Sequence, residues 1–152
     1  MTPDPNEVAM LRFWLKENED AVRFCLDVFS ISQTLDDLVD RDAPVSGEEI
    51  ERMAMLMFSD IPRNPFYRQH QDSLQSFMET ALMYWADANK LEARGEAGRR
   101  LAFVFRDIIG GLANKCALLI GGFDWWSLVT LDIHRRMTHD ETYESYARDL
   151  PP

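Results

Sequence analysis

Three aspartates stand out as residues that could do chemistry. Asp36, Asp37 and Asp40 form a DDxxD spacing inside SISQTLDDLVDRD. Carboxylates one helical turn apart can hold magnesium through one or two oxygens, with water and a phosphate completing the shell. At about 100° per residue the three are not equivalent. Ala21, Phe24, Val28, Ile31, Leu35 and Leu38 make one apolar stripe. A second stripe begins as Val22, Leu26 and Phe29 and continues as Gln33, Asp36 and Asp40. Asp37 falls with Arg23 and Ser30 toward solvent. This pattern predicts that Asp36 and Asp40 lie on an inward flank, near a helix C-terminus that disfavours anions. Like charges at i,i+4 also repel. A cationic partner is therefore expected, either a magnesium ion or one of the arginines among Arg63, Arg68, Arg99, Arg100, Arg106, Arg135 and Arg136.

Two further residues fit the same chemistry. A helix through RRLAFVFRDIIGGLANKCALLI would put Asp107 and Asn114 on one face, with Gly111 between them. Packed against Asp36 and Asp40, that face would close a polar pocket, serving either magnesium and a phosphate ligand or a buried hydrogen-bond network. Asp36, Asp40, Asp107 and Asn114 are thus the candidate metal ligands. No catalytic residue is assigned. The arrangement superficially resembles the aspartate-rich motif of isoprenoid synthases. The chain is too short for that bundle, and no Ser and Glu follow Asn114 at the needed spacing. All-α nucleotide pyrophosphatases are a poor match, because EEIE and DDLVD come in the wrong order. His134 and His139 flank RRMT without a Ser or Cys in an elbow or glycine-bounded turn. His70 lies in YRQHQD on a polar face and is expected to be solvated.

Helices must position these groups. At 152 residues, 46% hydrophobic and 11% aromatic, the chain reads as one globular domain over residues 1–152. The seven Gly and seven Pro sit at segment ends. Asn6 is expected to cap a first helix, and a longer one runs from Glu19 to about Asp40. Ser46 and Glu49 form a capping box for a third, through about Ser59. Asn64 followed by Pro65 starts a fourth, to about Ala93. A fifth, near 96–120, is apolar almost all round and is expected at the centre. Gly121 and Gly122 end it. Asp124 would cap a sixth and Asp140 a short last one. In the sixth, Trp126 shares a core face with Val129, Ile133 and Met137. The fold expected is all-α, a compact bundle of five to seven helices. MAMLMF reads as adaptable core or as an interaction groove, with core the simpler reading.

Composition narrows the partners. The net charge of -10 opposes direct contact with a nucleic-acid backbone. Cys25 and Cys116 sit in apolar helical patterns and read as buried reduced thiols, too few for a disulfide framework or a zinc pattern. The N-terminal MTPDPNEV lacks a basic start and an apolar run, and no apolar run reaches transmembrane length. A cytoplasmic protein without a membrane partner is expected.

ISQTLDDLVDRDAPVS, IPRNPFYRQH and GGFDWWSLVTLDIHRR together resemble a group of small helical proteins encoded by tailed phages and prophages. The resemblance implies a phage origin and a host-cell cytoplasmic location. It carries no activity with it. The expected function is non-enzymatic: a protein-interaction module for a host factor or a virion component, with self-association allowed. The alternatives are a small magnesium-dependent hydrolase or phosphate-ligand binder, and a nucleic-acid mimic that blocks a DNA-binding protein.

Overall fold

The structure is a computed structural model and describes residues 4–41, 43–136 and 141–150. Asp42, Met137, His139 and Asp140 therefore lie outside the described residues. Every regular element among the described residues is helical, so the fold is all-α. No helix among them is long and apolar enough to cross a membrane. The chain divides into two compact units, residues 1–71 and 72–152.

In the first unit, α1 spans Pro5–Trp14 and α2 spans Glu19–Asp40. Asp4, not Asn6, caps α1: its carboxylate accepts from the Asn6 backbone N–H at 2.9 Å. Pro5 then takes the first helical position, where its missing N–H costs nothing. The chain reverses through Lys16 and Glu17, both at positive φ. Arg12 and Glu19 bridge that reversal at 2.8 Å. Asn18 caps α2 through the Ala21 N–H. The buried face of α2 comprises Ala21, Val22, Phe24, Cys25, Val28 and Ile31. It packs on Leu11, Trp14 and Leu15, which are also buried.

The rest of the unit is a run of short helices. The Ser46–Glu49 capping box forms as expected and starts α3, Gly47–Met55. A π-helical turn, Leu56–Asp60, follows without a break and leads into α4, Ile61–Arg63. In an uninterrupted α-helix the Pro62 ring would meet the Phe58 carbonyl and supply no N–H to it. Widening the turn, with the Ile61 N–H donating to the Leu56 carbonyl, relieves that conflict. Asn64 then caps α5, Pro65–Gln69, accepting from the Tyr67 N–H at 3.0 Å. The expected long helix from Pro65 is interrupted at His70, whose backbone leaves the helical region. His70 is half-buried, with its ring 4.8 Å from Phe66.

Asn64 does more than cap. It is 4% exposed, and its Nδ2 donates to the Asp20 carbonyl at 2.9 Å. This bond ties the start of α5 to the start of α2. Phe24 then meets Tyr67 at 5.4 Å and Phe66 at 6.5 Å between ring centroids.

The second unit opens with α6, Gln71–Leu91, and α7, Gly95–Phe105. Gly98 touches the carbonyl end of α6, where a Cβ would collide with the Leu91 carbonyl oxygen. The expected continuous helix over 96–120 is divided. A turn at Arg106–Asp107 and a 3-10 segment, Ile108–Gly111, separate α7 from α8, Leu112–Arg136. The adjacent glycines, each about 1 kcal/mol poorer than Ala in a helix, make this the weakest point of that run. Gly122, at φ 68 and ψ -170, breaks α8 near its middle, where the Gly pair was expected to end a helix. The last helix, α9, covers Tyr143–Asp149 and is capped by Thr142. Tyr146 buries itself against Ala88 and Ala102, and its hydroxyl donates to Glu92 at 2.6 Å. Cys25 and Cys116 are both buried and outside any disulfide.

Two outcomes follow. Asn64→Ala removes a cap and a buried donor, so unfolding in urea should show a loss of about 2 kcal/mol. Asn64→Asp keeps the cap but sets a carboxylate against the Asp20 carbonyl, and should cost more than the alanine change. Burial, then the bond to Glu92, raises the Tyr146 hydroxyl above its ordinary value. A raised phenol stabilises the fold below the unfolded value of about 10 and loses that contribution as pH climbs past it. Tyr146→Phe should cost about 1 kcal/mol at neutral pH and flatten the alkaline decline of the melting temperature.

Candidate interaction surface

The four expected metal ligands do not share a unit. Asp36 and Asp40 belong to the first unit, and Asp107 and Asn114 to the second. The inward flank of α2 is corrected at Gln33 and Asp40. Gln33 and Asp40 are exposed and Asp36 is half-buried. The apolar stripe fades in step, with Leu38 and Val39 exposed near the helix end. Asp37 is half-buried rather than solvated, and its carboxylate accepts from Gln33 Nε2 at 3.0 Å. Neither Asp36 nor Asp40 lacks an interaction partner. Arg41, in the left-handed conformation, closes the helix by donating its N–H to the Asp37 carbonyl.

Asp107 and Asn114 are separated by the 3-10 segment, so the seven-residue spacing no longer sets them on one helical face. Asn114 is 7% exposed, and neither of its amide atoms has a hydrogen-bond partner among the described residues. Among the described residues no three His, Cys, Asp or Glu side chains converge into a group that could hold a metal. A shallow groove in the second unit, lined by Asp72, Ser73, Ser76, Phe77, Thr80 and Lys115, is open to solvent.

Large apolar side chains at the surface are the more distinctive feature. α3 has no buried residue at all. The reading of MAMLMF as core is overturned: Met55 is 60% exposed, Met57 45% and Phe58 82%. Ile50, Met53 and Ala54 of α3 share one side by their three- and four-residue spacing, and Met53 and Ala54 are half-buried there. Even there Ile50 stays exposed. On the other side Glu48, Glu51, Met55 and Phe58 follow at three-, four- and three-residue steps, and all are exposed. Phe58 belongs to the π-turn and points to solvent.

The second unit has a similar excess. On α8, Val129 and Ile133 are buried, while Leu128 and Leu131 on the opposite side are 76% and 74% exposed. Trp126 reaches only half-burial, against Phe123 at 5.6 Å. A helix apolar on both sides needs cover on both sides.

Two carboxylates near α3 escaped the sequence pattern. Asp27, on α2, is half-buried, and Asp60 ends the π-turn. Burial, and after it the charge of Asp60, holds the Asp27 carboxyl above its ordinary value, and Arg23 opposes this. The signal available was a lone Asp inside the most apolar part of α2, VRFCLDVF.

No family model, no curated protein and no solved structure matches the chain.

A carboxyl raised in the folded state destabilises the fold as pH rises through its unfolded value and beyond, because ionising it is harder in the folded chain than in the unfolded one. Asp27→Asn should therefore raise the melting temperature at pH 7. The gain should vanish below about pH 4, where the unfolded carboxyl is also protonated. Equal melting temperatures at pH 7 would count against a destabilising charge at Asp27.

Proposed function

We propose that the chain is a non-enzymatic protein-interaction module. The observation that carries this reading is the exposure of Met55 and Phe58 in the first unit and of Leu128 and Leu131 in the second. Single exposed apolar residues are ordinary, but grouped ones rimmed by charge mark contact surfaces. Aromatic and methionine side chains are enriched at such surfaces. The resemblance to small phage and prophage proteins supports a host factor or a virion component as the partner, met in the host cytoplasm.

A second reading has an observation of its own. Gln33 and Asp40 turn outward, and Glu48, Glu49 and Glu51 are exposed, which suits an acidic mimic of nucleic acid. A mimic would compete with duplex DNA for its target, whereas an apolar contact would not.

The test is affinity capture from a bacterial host extract with the intact chain as bait. A partner retained by the unaltered chain should be lost on Phe58→Ser or on Leu128→Ser with Leu131→Ser, with the melting temperature kept within a few degrees. Retention of the same partner by all the variants, or elution of that partner by duplex DNA, would overturn the apolar-contact reading.

A further inference from the structure

We infer that Glu48, Glu51, Met55 and Phe58 form a docking row for a basic amphipathic helix of another protein. This rests on the interaction-module reading and adds the chemistry of the partner.

The row is built by helix period. Steps of three, four and three residues set the four side chains along one side of α3 and the π-turn that continues it. It spans about 15 Å at 1.5 Å per residue, so about three turns of a partner helix would cover it. Its two ends differ. Glu48 and Glu51 make the first half acidic, while Met55 and Phe58 make the second half apolar. A matching helix needs Lys or Arg at one end of a face and large apolar residues at the other. A thioether and an aromatic ring on one exposed helix side adapt to varied apolar side chains, which suits contact with an apolar helix face.

Charge selects the occupant. The first unit carries fourteen Asp and Glu against seven Lys and Arg, and so holds most of the chain's net charge of -10. Within α3 itself Arg52 is the lone cation beside Glu48, Glu49 and Glu51. A second copy of the chain fits badly. A two-fold contact would set Glu48 and Glu51 either against their own copies or against Met55 and Phe58. The first repels and the second buries carboxylates without partners. An anionic lipid surface is repelled for the same reason. A cationic helix pairs with the carboxylates and covers the apolar end.

Fluorescence anisotropy with a labelled synthetic helix tests this. The probe is an Ala-based peptide with two Lys and two Leu spaced to oppose the row. The control replaces the two Lys with Glu. The intact chain should bind the Lys peptide and not the Glu peptide. Met55→Ser with Phe58→Ser should weaken binding at least ten-fold. Glu48→Gln with Glu51→Gln should weaken it several-fold and flatten its dependence on salt. All four side chains are exposed, so these variants leave no cavity, and an unchanged melting temperature confirms the fold. Binding unaffected by either double variant would overturn the docking row, because bulk charge would then explain it. So would a dimer in sedimentation that dissociates on Met55→Ser with Phe58→Ser, since the occupant would be a second copy. If host-extract capture succeeds through Phe58 while the Lys peptide fails to bind, the partner's chemistry is wrong and the module reading stands. If both fail, both fall.

Discussion

The first unit depends on one buried amide. Asn64 caps α5 with its oxygen and holds the Asp20 carbonyl with its nitrogen. Both halves of one side chain are thus used, on two helices far apart in sequence. Without this link, α3, α4 and α5 are short segments, each too brief to be stable alone. With it, Phe66 and Tyr67 are delivered to Phe24, and the segment before Asn64 is anchored at its far end. The buried position demands a group that both donates and accepts, which excludes Asp and every apolar residue.

That anchoring explains why α3 can persist without a buried residue. The capping box fixes its start, Pro62 and Asn64 fix its exit, and contact with α2 holds its middle. Its outer side is left over. The same logic holds for α8, where Val129 and Ile133 satisfy the interior and Leu128 and Leu131 have no interior left to enter. A chain of this size split into two units has a high ratio of surface to core. Some apolar side chains must stay outside, and their grouping on particular helix sides is what carries functional meaning.

Local signals were legible in the sequence because local chemistry decides them. The Ser46–Glu49 box, the Asn64–Pro65 start and the all-helical class follow from capping geometry and periodicity alone. The division of 96–120 was hidden by a uniformly apolar run. Only the adjacent Gly110 and Gly111 marked it. The direction of Asp40 failed for a different reason. A helical wheel says which residues share a side, but not whether another element covers that side. After Ile31 no residue of α2 is buried, and Gln33, Leu38, Val39 and Asp40 are exposed, so the cover thins toward the helix end whatever the pattern. The same blindness led MAMLMF to be read as core. Whether Asp36, Asp40, Asp107 and Asn114 have a common role was a question about distant segments, which periodicity within each segment cannot answer.

The placement of the two cysteines has a practical consequence. Cys25 lies in the first third of α2 and Cys116 near the start of α8, so each compact unit encloses one thiol. Alkylation requires exposure of the sulfur, and burial makes exposure equivalent to opening of the surrounding unit. The two peptides are distinct by mass. The chain therefore carries an internal pair of clocks, one per unit, that would report whether the two halves open together or one at a time.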